Sequence, residues 1–220
     1  MVVLKQKYFI DSHKGATPIF ILFLIWYYNQ WNNTVAWIYW AMHSSYGILW
    51  CTKSYYFPDA NWEQPCSLGY VFAIYAFLNL YWISPWLIIS RETPLILPPW
   101  YLGCVLMLYI FGIFLHFVSD MQKTCYLELE KPRRLITSKL WSRSRNPNYL
   151  GELMIYTAFA LMSYHWVPLL IVGIALAGLW GPNMKKKDKS LSRYSTYEAY
   201  RAHSGLLIPY LGRIPEEKTK

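Results

Sequence analysis

Long apolar stretches alternate along this chain with short polar breaks. The pattern predicts spans at roughly 16–29, 34–51, 69–90, 98–119, 149–164 and 166–182. A helix needs about 20 residues to cross the hydrocarbon of a bilayer, with about 17–25 as the usual range. The third and fourth stretches meet that need. The first is short, and Pro18 blurs its start. Only Tyr164-His165-Trp166 separates the fifth from the sixth, which predicts a tight hairpin. The expected fold is all-α: a polytopic membrane helix bundle of about six transmembrane helices. It forms one integral membrane domain over 1–220, with a cytosolic helical tail at 183–220. Hydropathy alone also accommodates five or seven spans.

Composition agrees with a membrane class. Apolar residues make up 55% of the chain and charged residues 15%, against about 25% charged in a typical soluble domain. Lys5, Lys7, Asp11 and Lys14 interrupt the start of the chain, which argues against a cleavable signal peptide. The net charge of +9 would suggest nucleic acid in a soluble protein. Here the positive-inside rule explains it without a nucleic-acid partner. With six spans and a cytosolic N-terminus, 20 of the 21 basic residues face the cytosol and only Arg91 faces away. Five or seven spans would split the two large basic clusters. Trp31, Trp62, Trp100, Trp141, Trp166 and Trp180 near the span ends read as interfacial anchors or as walls of a cavity for a flat ligand. The four cysteines form no CxxC pair, and no His/Cys cluster suggests a metal site. The terminal Glu217-Lys218-Thr219-Lys220 lacks the spacing of a dilysine retrieval signal.

Ionisable groups inside spans are costly and mark candidate function. His43 sits in the second span. His116 and Asp120 share one face of the fourth at i, i+4. Glu152 opens the fifth. Each has an alternative role as a partner in an interhelical hydrogen bond. The stretch 120–149 reads as a basic loop ending in Arg145-Asn146-Pro147-Asn148-Tyr149-Leu150-Gly151-Glu152. Pro147 turns the chain, so a helix begins near Asn148. Its N-terminus, with Arg143 and Arg145 beside it, suits an anion. Gly151 allows close approach of a ligand or of another backbone. No Rossmann or P-loop fingerprint is present. In the tail, Tyr194, Tyr197, Tyr200 and Arg201 recur at helical spacing, a face for packing or for a nucleotide. The run Lys185-Lys186-Lys187-Asp188-Lys189 is a second cationic segment, suited to anionic headgroups.

Three segments carry a resemblance: Ser119-Asp120-Met121-Gln122-Lys123, then Arg145 to Glu152, then Asn183 through Asp188 to Arg193-Tyr194 and on to Pro209. They resemble the membrane sterol reductase superfamily, which includes the sterol C-14 and C-7 reductases, the lamin B receptor and, more distantly, the steroid 5-alpha-reductases. The closest resemblance is to an uncharacterised short branch. The resemblance implies NADPH-dependent reduction of a carbon–carbon double bond in a membrane lipid, sterol or isoprenoid-like, in the endoplasmic reticulum. It implies cofactor contacts by Gln122, Lys123, Arg145, Asn148, Tyr149, Gly151, Glu152, Asp188, Arg193, Tyr194 and Tyr200. Tyr149 and the His116–Asp120 pair are the candidate proton donors. The sequence departs from the pattern at Leu127, where the sterol reductases carry Arg, and at the Lys run and Ser190, which replace His-Arg and Cys. Two other readings stand beside this one. One is an S-adenosylmethionine-dependent membrane methyltransferase of the isoprenylcysteine or phospholipid type, which shares the Arg-x-Pro-x-Tyr-x-Gly segment. The other is a non-catalytic lipid-binding member of the fold.

Overall fold

The computed structural model describes residues 4–212, and the Glu217–Lys220 terminus lies outside them. The described residues form helices, with no named strand. They are α1 (Gln6–Tyr27), α2 (Thr34–Tyr56), α3 (Leu68–Asn79), α4 (Ile83–Ile89), α5 (Pro99–Leu129), α6 (Pro147–Met162), α7 (Trp166–Ala175), α8 (Gly181–Leu191) and α9 (Tyr197–Ala202). A 3₁₀ turn joins α3 to α4, and a π-helical stretch at Leu176–Trp180 joins α7 to α8.

Three helical runs among the described residues are long and apolar enough to cross a membrane: Leu68–Ile89, Pro99–Leu129 and Trp166–Leu191. The protein is therefore an all-helical membrane protein. The other expected spans fall on α1, α2 and α6. The first two carry ionisable residues, and α6 has only 16 residues.

Several helices extend past their apolar stretches, because side chains satisfy the polar ends. Helix α1 begins at Gln6, well before the apolar stretch. Its Asp11 accepts from Trp50 Nε1 at 2.9 Å and from Ser54 Oγ at 2.8 Å. Its Lys14 donates to the hydroxyls of Tyr46 and Tyr156. Helix α5 continues to Leu129, so the first part of the expected 120–149 loop is helical. Lys123 supports that extension from 3.5 Å of Asp120, one turn away. The lysine run is helical too, within α8. The expected hairpin is present: Tyr164 takes a left-handed φ of 49°, and the His165 ring accepts from the Val167 amide at 3.2 Å. Of the expected anchors, Trp31, Trp100 and Trp166 are exposed, whereas Trp141 and Trp180 are buried.

The chain forms two compact units. The first comprises residues up to Phe111 together with Met154–Gly173, and the second Gly112–Leu153 together with the residues from Ile174 onward. In the first unit, α1 meets α3 through Ser12 and the Tyr75 hydroxyl at 2.6 Å. Trp82 stacks on Phe20 at 3.9 Å and donates to Thr17 at 3.0 Å. Tyr109 closes on α2 by donating to the Met42 carbonyl at 2.7 Å.

At the start of α1, Glu63 pairs with Lys5 at 2.8 Å and with Lys7. The hydrogen bonds from these ammonium groups hold its carboxyl below the ordinary carboxylate range. A depressed folded-state pKa gives stabilisation that is complete above the unfolded value, about 4.3 for Glu, and is lost as pH falls through the folded value. The cluster lies at the surface, so the effect is small. Glu63→Gln is expected to lower stability slightly at neutral pH and to shallow the acid limb of a thermal-denaturation series. An unchanged acid limb would show that the cluster contributes nothing.

Candidate functional site

His43 lies on α2 in the first unit, and the candidate cofactor and proton-donor residues lie in the second unit. Helix α6 starts at Pro147, a first-turn position that needs no N–H donor, and the Leu150 amide closes the first turn on the Asn146 carbonyl at 3.1 Å. Beside this start runs the last part of α5. Gly151 explains how close the two helices come: a Cβ there would lie 2.3 Å from the His116 amide nitrogen and 2.7 Å from the Gly112 carbonyl oxygen. Its close approach is therefore to the backbone of α5.

Two bonds lock the pair of helices. Asn148 donates from Nδ2 to Asp120 Oδ1 at 3.0 Å, and His116 Nδ1 faces the Asn148 carbonyl at 3.1 Å. A carbonyl only accepts, so His116 Nδ1 carries a proton and donates to it. His116 and Asp120 are buried, and Tyr149 and Glu152 are half-buried. The Asn148 Oδ1 is buried with no hydrogen-bond partner among the described residues. Gln122 reaches across to the Ser138 carbonyl at 3.1 Å.

Four successive side chains form a clasp that the sequence does not announce. Arg143 donates to the carbonyls of Tyr210 and Gly212 at 2.9 and 3.0 Å. Ser144 donates to that of Leu207 at 2.8 Å and Asn146 to that of Leu206 at 2.8 Å. Arg145 donates to the Ser204 carbonyl. The main chain joins in: the Arg145 amide donates to the Gly205 carbonyl and the Gly205 amide to the Arg143 carbonyl, at 2.9 and 3.0 Å. Gly205 has no room for a side chain, since a Cβ would lie 1.8 Å from the Ile208 carbonyl oxygen.

Arg145 also grips α8. Its guanidinium meets both oxygens of Asp188, at 2.7 and 3.3 Å, with the Arg145 side chain 7% exposed. The guanidinium and the predicted acid are thus engaged with each other. Lys187, the neighbour of Asp188, donates to the Asn146 Oδ1 at 2.9 Å and lies over the Trp141 ring at 4.4 Å. Trp141 in turn donates to the Ser119 carbonyl at 3.2 Å.

The tyrosine face of the tail packs. Tyr197 and Tyr200 bury against Leu135, with Leu191 and Tyr194 alongside. The Tyr200 hydroxyl donates to the Trp141 carbonyl at 2.5 Å, and burial pushes its pKa up. Tyr197 is raised as well, first by burial and then by Asp188. Arg193 is exposed, holding Ser190 Oγ at 2.6 Å and lying over the Tyr194 ring at 5.0 Å.

A family model described as "Protein of unknown function (DUF1295)" matches residues 59–202, which take in α3 through α9. The chain belongs to that family. The DUF1295 family falls within the steroid 5-alpha-reductase-like membrane superfamily. An uncharacterized protein of Schizosaccharomyces pombe (strain 972) is also similar, at 28% identity over 82 residues, which is 34% of this chain and 27% of that protein. The matched stretch spans about a quarter of that relative's length.

Proposed function

We propose that this DUF1295 member is an NADPH-dependent reductase of a carbon–carbon double bond in a membrane lipid, sterol or isoprenoid-like. It would sit in the endoplasmic reticulum with six spans and both termini in the cytosol. The observation that carries the reading is the convergence, within one compact unit, of the 119–123, 145–152 and 187–194 segments on one another. Membership of a reductase-like superfamily supports the reaction class.

The residues suit a phosphate-bearing cofactor at their cationic margin. Arg145 and Asp188 satisfy each other, so their part is to fix the clasp and the start of α6. Tyr200 and Gly151 belong to the same scaffold, and Glu152 stands one residue after Gly151 as a polar contact for the cofactor. Within the 119–123, 145–152 and 183–194 segments, the cations left facing water are Lys185, Lys186, Lys189 and Arg193, with Lys123 partly exposed. These would hold phosphates, and Gln122, Asn148 and Tyr194 would make polar and ring contacts. The unpartnered Asn148 Oδ1 is an acceptor suited to an N–H or O–H donor of a ligand.

NADPH, when bound, supplies hydride to one carbon of the double bond. The protein must supply a proton to the other. Tyr149 offers a phenol at the first turn of α6. Asp120 and His116 hold that turn through Asn148. A positioned acid contributes roughly 10²–10⁴-fold in rate. Tyr149→Phe is therefore expected to cut NADPH oxidation driven by a membrane lipid extract by about 100-fold, while NADPH affinity stays as in the parent. Unchanged turnover would remove Tyr149 from the reaction.

A further inference from the structure

Buried polar groups in a helix normally find partners, because an apolar interior supplies none. Four neighbouring side chains of α2 break that rule. Tyr39 Oη, Trp40 Nε1, His43 Nδ1 and Ser44 Oγ are buried and make no hydrogen bond among the described residues. At about 100° per residue they share an arc of about 140° of the helix, so they form one patch. Tyr39, His43 and Ser44 are 0%, 6% and 8% exposed.

The patch borders the apolar interior of the first unit. His43 stacks on Phe159 at 3.8 Å between ring centres, and Tyr39 meets the same ring at 5.7 Å. Phe159 also walls a narrow void together with Tyr81, Ser84, Tyr156 and Ile171. The Tyr39 hydroxyl lies near Ser84 without closing a hydrogen bond.

The geometry points to this patch as a binding site for a neutral, oxygen-bearing apolar ligand. Its hydroxyl or carbonyl oxygen would sit among Tyr39, Trp40, His43 and Ser44, with its apolar body against the Phe159 and Tyr81 rings. The indole N–H only donates, whereas the two hydroxyls and the imidazole both donate and accept. A hydroxyl on the ligand answers both kinds of group. A carboxylate would need a buried cation, and the ammonium of Lys14 already faces the hydroxyls of Tyr46 and Tyr156 within a cage of the Tyr46, Trp50 and Tyr156 rings. The inference is independent of the reductase reading, because a non-catalytic lipid-binding protein would use the patch equally.

A bound water would satisfy the same atoms, so the test separates the two. The full-length protein in lipid nanodiscs is irradiated with a diazirine-bearing hexadecanol, and the labelled peptides are mapped. Labelling is expected on α2 around Tyr39–Ser44 or on the facing Phe159 segment. Excess hexadecanol should suppress it about fivefold better than hexadecane or palmitic acid, the scale of one lost hydrogen bond. Ser44→Ala and His43→Phe should each erode that preference. Equal competition by hexadecane would leave an apolar crevice that reads no oxygen and overturn the proposal. Preferred competition by palmitic acid would overturn neutrality. Absence of label from both segments would leave water as the occupant, and a preference untouched in Ser44→Ala and His43→Phe would remove the patch.

Discussion

Replacing Arg145 with alanine is expected to release the C-terminal segment from the second unit. The guanidinium holds Asp188 with two bonds and the Ser204 carbonyl with another, and its own side chain is 7% exposed. Removing one member of a buried pair leaves the other charge uncompensated and typically costs about 3–5 kcal/mol. Asp188 is 17% exposed, so water takes up part of the loss, and about 3 kcal/mol is the expected effect. Arg145→Lys should not restore it, because one ammonium cannot present the planar fork that serves both Asp188 oxygens while reaching Ser204. Limited proteolysis reads the outcome: cleavage within 193–212 should accelerate about 100-fold in Arg145→Ala, as 3 kcal/mol implies if cleavage follows local opening. A paired change, Arg145→Met with Asp188→Leu, should recover much of the protection. Protection unchanged in the single variant would mean that the clasp does not hold the segment.

Gly151→Ala is the second large effect. The added Cβ would meet the His116 amide at 2.3 Å, the Gly112 carbonyl at 2.7 Å and the His116 Cα at 2.8 Å. All three are backbone atoms of α5, so no side chain can swing aside, and the helices must separate. Overpacking usually costs about 1–3 kcal/mol, and contact with rigid backbone places this case at or above the upper end. The same separation stretches the bonds from Asn148 to Asp120 and to His116. A lower melting temperature should therefore accompany loss of activity. Gly103→Ala, with nothing within 4 Å of its Cβ, is the control and should be nearly silent. A stable, active Gly151→Ala would contradict the packing described.

How much of this was legible in the sequence depends on whether local chemistry decided it. Pro147 and the apolar alternation mark the start of α6, the run at 68–89 and the run beginning at Pro99, because a missing N–H and a hydrocarbon-length stretch act locally. The turn at Tyr164 followed from the short gap between two apolar stretches. Helix ends were less legible. Asp11 and Lys14 look like breaks until Trp50, Ser54, Tyr46 and Tyr156 arrive from distant positions to satisfy them. The same holds at the site. Arg143 and Arg145 beside a helix N-terminus suit an anion by local reasoning. In the fold they serve carbonyls and a carboxylate some 40–70 residues away in sequence, which no spacing reveals. Ser144 and Ser204 carry no local signal, and Asn146 and Lys187 stand out only as members of a motif and of a cationic run, because polar residues become a clasp only once the chain folds back. Gly151 reads locally as a place of close approach, and only the fold shows that the approaching partner is the backbone of α5.

We propose that the second unit, which holds the first turns of α6 and all of α8, binds NADPH. A ligand that binds only the folded state raises apparent stability by an amount set by its concentration over Kd, about 2.7 kcal/mol at 100-fold excess. The direct measurement is thermal denaturation of the purified full chain with NADPH, NADH or S-adenosylmethionine, repeated with Lys123→Ala and Arg193→Ala. A concentration-dependent upward shift is expected with NADPH, a smaller one with NADH, none with S-adenosylmethionine, and loss of the NADPH shift in the two variants. A shift with S-adenosylmethionine and none with NADPH would contradict it and favour a methyltransferase.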